Sequence, residues 1–296
     1  MIKNKTLKGV LFVALGASSY GMLASFVKMA YQEGYTTAEV SGAQFSIGLF
    51  TVLLLNLLRK VKKNTDEIKI AKHQIPQLIL AGTSMGFTSV FYYLSVRYIS
   101  VSIGIVLLMQ TVWMGVLLEM FLDKKNPSLQ KIVSVVITLI GTILATNLLN
   151  NELTLDWRGF FWGILAAAAF TLTMFGANKV AVEIPSIQRS FFMLIGGTLI
   201  VVLFGFITQN TPFNYSIFLK WGIILSLFGT IIPPFLLNMG FPLTGIGLGS
   251  IVSALELPVS VSMAYFLLSE EVNWVQWLGI LLILTAIILM NIRLNK

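Results

Sequence analysis

Repeated apolar runs, each long enough to cross a lipid bilayer as a helix, constrain the fold of this chain most. A helix needs about 20 mainly apolar residues to cross the hydrocarbon core of a bilayer. Ten such runs lie near residues 7–27, 38–58, 75–94, 101–122, 129–149, 159–178, 190–208, 217–239, 246–268 and 274–292. The connections between them are too short for a soluble domain. The sequence therefore predicts an all-α polytopic membrane protein with ten transmembrane helices.

The shortage of charged residues excludes an ordinary soluble enzyme. Only 11% of the 296 residues are charged and 56% are hydrophobic, whereas a soluble domain carries about 25% charged residues. The net charge of +8 would suggest nucleic acid in a soluble protein. In a membrane protein, however, basic residues gather at the cytoplasmic ends of the spans, so we expect no nucleic-acid partner.

The residue types that build hydrolytic and metal sites are scarce. The chain has no cysteine and one histidine, His73, so disulfides, thiolate or His-rich metal sites and a Ser-His-Asp triad are not expected. It also lacks a Gly-rich phosphate loop and a His-Glu-x-x-His motif. We predict a protein that is not an enzyme and that has no metal or cofactor.

The distribution of lysine and arginine predicts how the chain is oriented. With the N-terminus in the cytoplasm, all but four of the 20 basic residues lie at cytoplasmic ends of spans, where such residues are enriched. We therefore predict a multi-pass protein of the cytoplasmic (inner) membrane with both termini in the cytoplasm. Lys179 and Arg189 are expected to snorkel to the inner surface. Glu119 is expected to pair with Lys124 there.

The two halves of the chain, residues 1–150 and 151–296, share a pattern of spacing. The first half begins with Gly-Val-Leu-Phe at 9–12 and the second with Gly-Phe-Phe-Trp at 159–162. Gln130 and Gln276, which are 146 residues apart, each lead into the last span of a half. Because five spans is an odd number, the second copy must be inverted. The prediction is one compact membrane domain of two inverted five-helix repeats, an architecture of secondary transporters that work by alternating access.

Several motifs resemble those of a known transporter family. They are LELPV at 255–259, FLLSE at 266–270, WVQWLG at 274–279 and ASSYGM at 17–22. On these motifs and its two sets of five spans, the whole chain resembles EamA-type members of the drug/metabolite transporter superfamily. The resemblance implies ATP-independent transport of metabolites such as amino acids, mainly as export. The chain departs from the family pattern with Val112 at the position of Pro258, and with Gln44 where many members have arginine.

Glu256 is the strongest candidate for a functional residue. It lies in the middle of the ninth apolar run, where inserting an acid costs roughly 2.5–3.5 kcal/mol and the carboxylate normally faces the bundle interior. It is a candidate proton carrier or partner for a cationic group on the substrate. The alternative is a structural carboxylate, protonated or hydrogen-bonded to a neighbouring helix. Ser253 and Ser260 share its helix face, either as part of a substrate path or as small residues that allow close packing.

Gln110 and Trp113 are candidates in the first half. The 146-residue offset places Gln110 opposite Glu256, and Trp113 lies on the same helix face one turn later. Together they could form a wall of the substrate pocket. The alternative for Gln110 is a hydrogen bond that joins two helices.

Four further residues complete the predicted substrate site. Tyr20 and Gln44 lie inside the first and second runs and are expected to line the cavity. Tyr92 and Asn238 lie near the ends of the third and eighth runs, so an interfacial anchor and a boundary residue are their alternatives. Small residues at 82–86 and 245–249 predict close helix crossings, and the two prolines at 233–234 predict an interrupted helix.

These features predict a secondary active transporter of a small polar metabolite, with an amino acid or a related compound as the favoured substrate and export as the favoured direction. One alternative is a transporter of a cationic or quaternary ammonium compound, held by Glu256 and by aromatic ring faces. A non-transport lipid-handling or structural membrane protein is the alternative of another class. The expected partners are the small-molecule substrate, protons as a candidate coupling ion, and membrane lipids. The chain is expected to be a monomer or a homodimer.

Overall fold

The described part of the chain folds almost entirely into helices. The structure, a computed structural model, describes residues 2–62, 70–99, 101–124, 126–147, 156–269 and 271–291, and it has no β-strand among them. The α-helices are α1 (Ile2–Gln32), α2 (Thr37–Lys62), α3 (Gln74–Val96), α4 (Val101–Leu108), α5 (Thr111–Asp123), α6 (Leu129–Ala145), α7 (Trp157–Lys179), α8 (Ser186–Thr208), α9 (Ile223–Ser226), α10 (Ile232–Thr244), α11 (Ile246–Ser253), α12 (Glu256–Leu268) and α13 (Trp274–Asn291). Two π-helical turns, Phe218–Gly222 and Leu227–Ile231, flank α9.

Eight helical stretches among the described residues are long and apolar enough to cross a membrane. They are Lys5–Gln32, Thr37–Leu58, Gln74–Val96, Ile103–Asp123, Trp157–Lys179, Ser186–Thr208, Phe218–Thr244 and Ile246–Leu268. These stretches confirm eight of the predicted runs as long apolar helices. The fifth and tenth runs form the shorter apolar helices Leu129–Ala145 and Trp274–Met290, and their predicted ends at 149 and 292 lie outside the described residues.

Polar side chains at helix starts explain where α2 and α13 begin. Oγ1 of Thr36 accepts from the Glu39 N–H at 3.2 Å, and Oε2 of Glu39 accepts from the Thr36 N–H at 2.8 Å. Asn273 and Gln276 make the same reciprocal pair at α13, at 3.0 and 3.1 Å. These capping boxes satisfy main-chain donors that have no partner within the first helical turn.

Glycines allow helices from the two halves of the sequence to pack backbone to backbone. Gly82 of α3 lies against the main chain of Met193 in α8, which confirms the close crossing predicted at residues 82–86. Gly240 of α10 lies against the carbonyl of Gly9 in α1. One buried apolar cluster joins α1, α7, α10 and α11. The core therefore lies between the halves rather than within each of them.

The last three helices of the two halves, α4–α6 and α11–α13, begin with a spacing of 145 residues. α5 begins at Thr111 and α12 begins at Glu256. Both helices end on a left-handed residue, Lys124 (φ 50°) and Ser269 (φ 54°). The prediction that Gln110 is the counterpart of Glu256 is therefore wrong by one residue. The two glutamines that aligned the halves occupy different positions in the first turns of α6 and α13.

The shorter helices α6 and α13 pack antiparallel. Gln130, at the start of α6, donates to the carbonyl of Leu289 near the end of α13. Gln276, at the start of α13, donates to the carbonyl of Ala145 at the end of α6, at 3.2 Å. Gly279 lies directly against the backbone of Ala145. The two glutamines therefore join this helix pair at both ends, as interhelical polar residues do in membranes.

Pro233 and Pro234 stand in the first turn of α10, inside the continuous helical stretch Phe218–Thr244, so the predicted interruption is only a local change of helical register. The π-helical turn Leu227–Ile231 comes just before them. In the π register the carbonyl of Phe228 would accept from residue 233, which is a proline and has no N–H. Oγ of Ser19 in α1 donates to that carbonyl instead, at 3.0 Å. A side chain of α1 thus satisfies the acceptor that the proline leaves open.

Candidate functional site

A small cavity lies among α1, α3, α7, α8 and α10. Its volume is about 10 Å³, which is room for about one water molecule. Tyr20 and Asn238, both predicted for the site, border this cavity. Most other lining residues are apolar, among them Phe170, Met174 and Phe241. A metabolite does not fit this cavity until neighbouring side chains or helices move.

Asn238 is a buried residue with an unused acceptor. Only 3% of its surface is exposed, so it is not the boundary residue that the sequence left as an alternative. Its Nδ2 donates to Oγ of Ser190 at 2.9 Å. Its Oδ1 is buried and has no donor among the described residues. Because an unsatisfied buried acceptor costs about 1–3 kcal/mol, Asn238 is a candidate for binding a donor group.

Glu256 begins α12, directly after a break between α11 and α12 at residues 254–255. It is partly buried, and its carboxylate has no hydrogen bond or ion pair with any described residue. Tyr20 and Tyr92 lie within range of electrostatic interaction with it. Gly21 of α1 lies against the carbonyl of Glu256, so α1 and α12 cross at this point. The carboxylate is thus available to a proton or a cationic group.

A row of tyrosines leads from the neighbourhood of Glu256 to the end of α1. The rings of Tyr92 and Tyr93 meet edge to face, with centroids 6.0 Å apart. Tyr93 meets Tyr31 in the same way at 6.4 Å, and the Tyr31 hydroxyl donates to Oγ1 of Thr37 at 3.3 Å. Tyr92 therefore belongs to an aromatic row within the bundle, which favours a role at the site over the interfacial anchor.

Gln110 and Trp113 do not line this cavity. Nε1 of Trp113 donates to Oε1 of Gln110 at 2.8 Å, and Nε2 of Gln110 donates to the Val106 carbonyl at 2.9 Å. Trp113 packs against an apolar cluster that includes Val112 and Leu257. Their polar groups therefore satisfy each other at the break between α4 and α5, and neither residue borders the cavity.

Gln44, Ser253 and Ser260 occupy three separate positions. Gln44 is buried, and its side chain lies against Gly229 in the second π-helical turn. Oγ of Ser253 donates to the carbonyl of Gly249 in its own helix at 2.9 Å. The main chain of Ser260 lies against Gly21 of α1. The contacts of both serines fit the alternative of close helix packing.

Arg189 is a buried residue whose role the sequence did not predict. Only 1% of its surface is exposed, so the expectation that it snorkels to the membrane surface is wrong. The last carbonyls of a helix lack donors and carry partial negative charge, and Arg189 binds them at the end of α7. Pro185, directly before α8, is the signal that could have placed Arg189 inside a helical turn. The guanidinium of Arg189 donates to four carbonyls, at 2.6 to 3.2 Å: those of Gly176, Ala177, Val180 and Asn238.

Glu119 pairs with Lys131 of α6, and the expected pair with Lys124 is wrong. Residues five apart do not share a helix face, whereas residues three or four apart do. Lys124 also ends α5 in a left-handed conformation, with φ 50°. Lys179 forms an exposed pair with Asp123 at 3.5 Å, as a residue at the membrane surface can.

The arrangement offers groups that can bind a ligand. Glu256 can take a proton or a cation, and Asn238 can accept one hydrogen bond. Tyr20 borders the cavity together with Asn238 and lies within electrostatic range of Glu256. No group of three or more His, Cys, Asp and Glu side chains that could hold a metal ion occurs within the described ranges.

Both halves of the chain match the same protein family. The EamA-like transporter family matches residues 7–147 and, a second time, residues 157–292. The chain is also similar in fold to a crystal structure that is described only as that of a protein. The similarity covers 97% of each chain, with a TM-score of 0.78 and 11% sequence identity. At that identity the likeness shows the fold alone. No curated protein matches the chain.

Proposed function

Because this chain belongs to the EamA-like transporter family, we propose that it is a secondary active transporter that exports a small polar metabolite, with an amino acid or a related compound as its substrate. The observation that carries the proposal is the carboxylate of Glu256, which lies inside the span Ile246–Leu268 and has no partner in the described structure. Acids inside membrane spans mark substrate or ion paths. No phosphate loop is present in the sequence, so an ion or substrate gradient supplies the driving force.

The proposed architecture is ten transmembrane helices in two inverted five-helix repeats, residues 1–150 and 151–296, within one compact membrane domain. The repeated helix boundaries and the antiparallel pair of α6 and α13 support the inversion. The basic residues support cytoplasmic termini in the cytoplasmic (inner) membrane. The two halves then rock about a central site to give alternating access.

Single cysteines test this orientation, because the natural chain has none. Glu33 and Lys179 are exposed residues at opposite ends of the bundle in the proposed topology. A membrane-impermeant maleimide should label a cysteine at 33 in intact cells, and a cysteine at 179 only after the membrane is permeabilised. The reverse pattern would overturn the proposed topology.

In the proposed site, the amino group of the substrate binds the Glu256 carboxylate and a second donor group binds Oδ1 of Asn238. Tyr20 lines the cavity together with Asn238, and the cavity widens when the halves move. Glu256 is also the proposed carrier if protons drive export. The other predicted residues, namely Gln110, Trp113, Gln44, Tyr92, Ser253 and Ser260, shape or support the site.

A cationic or quaternary ammonium substrate is the second candidate, and the tyrosine row favours it. Aromatic ring faces attract cations, by about 0.5–2 kcal/mol per ring. Tyr92, Tyr93 and Tyr31 supply three rings in succession, and Tyr92 lies within electrostatic range of Glu256. A quaternary ammonium compound without a carboxylate would also need no cationic side chain of the protein to bind it.

Counterflow in proteoliposomes tests the proposal and distinguishes the two substrates. Liposomes are loaded with one unlabelled amino acid or one quaternary ammonium compound, and entry of the labelled form is followed against protein-free liposomes. Saturable, protein-dependent counterflow of amino acids supports the first candidate, and counterflow of ammonium compounds only supports the second. Absence of counterflow across both classes would favour the lipid-handling or structural protein and contradict the proposal.

A further inference from the structure

Two charged side chains from α5 and α6 meet on the first turn of α11. Glu119 and Lys131 form an ion pair in which only 19% and 17% of the side chains are exposed. This pair sits over Gly247. A Cβ at that position would lie 3.1 Å from Nζ of Lys131 and would overlap Oε2 of Glu119. The pair thus occupies the space that a side chain at Gly247 would fill.

The carboxylate also lies against Gly245, the N-cap residue directly before α11. A Cβ at Gly245 would be 2.7 Å from Oε1 of Glu119, and the residue has a positive φ of 78°. α11 has no side-chain cap of its own. The N-terminus of a helix carries partial positive charge, so Glu119 supplies the negative charge that α11 lacks. Glu119 is therefore attracted both by Lys131 and by α11.

The positions that correspond to Glu119 and Lys131 in the second half of the sequence do not form such an ion pair. The spacing of 145 residues makes Ala264 the counterpart of Glu119, and Gln276 the counterpart of Lys131. Neither counterpart is charged, and Gln276 instead binds the carbonyl of Ala145. The opposite end of the described bundle therefore has no equivalent ion pair at these positions.

We propose that Glu119, Lys131 and Gly247 form a one-sided latch, which holds α11 against α5 and α6 and releases when that end of the bundle opens. This end is the cytoplasmic one in the proposed topology, and the inference rests on the proposed alternating access. The latch makes the two ends of an otherwise repeated fold unequal. It favours states that are closed towards the cytoplasm, so release of the latch accompanies uptake of substrate from that side.

A buried serine at the same interface provides a reporter of opening. Ser250 of α11 is fully buried, and its Oγ donates to the carbonyl of Val112 in α5 at 3.1 Å. A Ser250→Cys protein carries a single cysteine, because the natural chain has none. Its rate of reaction with a soluble maleimide in nanodiscs measures how often α11 separates from α5.

Glu119→Gln and Lys131→Met, each in the Ser250→Cys background, should raise the labelling rate about fivefold or more, because either change removes one charge of the latch. Asp123→Asn is the matched control, since Asp123 lies on the same helix but forms an exposed pair with Lys179 at 3.5 Å. It should leave the rate unchanged. Equal rates in the unmodified background and in both latch variants would overturn the proposal.

The exchanged pair, Glu119→Lys with Lys131→Glu, should not restore slow labelling. A lysine at 119 would face the positive end of α11, so restoration would contradict the role given to the helix end. Gly247→Ala should raise the labelling rate without removing a charge. Gly205→Ala is the control for this change and should leave the labelling rate unchanged. A Cβ added at Gly205 would be 3.8 Å from its nearest neighbour, so the alanine fits there.

The labelling assay separates the latch from the proposed transport function. It detects opening whether or not the substrate is known. Faster labelling in the latch variants without any counterflow would support the latch and contradict transport. Counterflow in the natural protein with unchanged labelling in the variants would support transport and contradict the latch.

Discussion

Replacing the buried guanidinium of Arg189 should destabilise the protein more than any change to an exposed arginine. Arg189→Leu leaves four main-chain carbonyls without their donor, at present bonded at 2.6 to 3.2 Å. Each buried acceptor left unsatisfied costs about 1–3 kcal/mol. The variant recovers part of this loss, because a charged group is no longer buried. The expected net loss is about 2–4 kcal/mol in the free energy of unfolding.

Reversible unfolding in mixed micelles, titrated with a denaturing detergent, measures this loss. Arg189→Lys should fall between the natural protein and Arg189→Leu, because an ammonium lacks the planar fork that reaches several carbonyls at once. Arg158→Gln is the control. Arg158 is exposed and bonds Asp156 at 2.8 Å, so its loss should change the free energy of unfolding far less than the loss of Arg189. Equal stability of Arg189→Leu and Arg158→Gln would refute the reasoning.

Two further substitutions test the helix contacts by the same unfolding measurement. Gly279→Ala should cost about 2 kcal/mol or more in the free energy of unfolding, because the new methyl group would overlap the backbone of Ala145. The control Gly205→Ala, which has space around it, should cost less than about 1 kcal/mol. Equal losses would contradict the close crossing. Ser19→Ala should cost about 0.5–1.5 kcal/mol by removing the donor to the Phe228 carbonyl, and hydrogen exchange should accelerate in the π-helical turn. Unchanged exchange there would contradict the role given to Ser19.

The helical class could be predicted from the sequence because it depends on the length of apolar runs alone. Each run must satisfy its own main-chain groups in lipid, so helices follow directly. The register between the halves could not be predicted as well. It rested on Gln130 and Gln276, which bind the partner helix from different positions in their first turns. Helix boundaries, which the structure supplies, correct the offset by one residue.

The site was predictable in part, because a lone acid inside a span is visible in the sequence. Tyr20 and Tyr92 lie within electrostatic range of Glu256, and Asn238 joins Tyr20 at the cavity. Gln110 does not reach that cavity, because its polar groups are already satisfied next to it in the chain.

The roles of Arg189 and Glu119 depend on groups that sequence distance hides. The carbonyls that Arg189 binds come from α7 and α10, which are separate in the chain. Glu119 is bound by Lys131 and lies against a helix end from the other half of the sequence. Arg189 and Glu119 each lie near the end of an apolar run. From the sequence alone, a charged residue at such a position is most simply interpreted as lying at the membrane surface.

The most direct test of the account is the effect of Glu256→Gln on flux in proteoliposomes. The change keeps the size of the side chain and removes its charge, so the natural protein and the variant differ in the one group proposed to hold the substrate or the proton. Glu33→Gln, which removes an exposed acid paired with Lys220 at 3.4 Å, is the control. The account predicts that Glu256→Gln lowers flux about 30-fold or more while Glu33→Gln transports at the natural rate. Natural flux in Glu256→Gln, in correctly folded protein, would contradict the central claim.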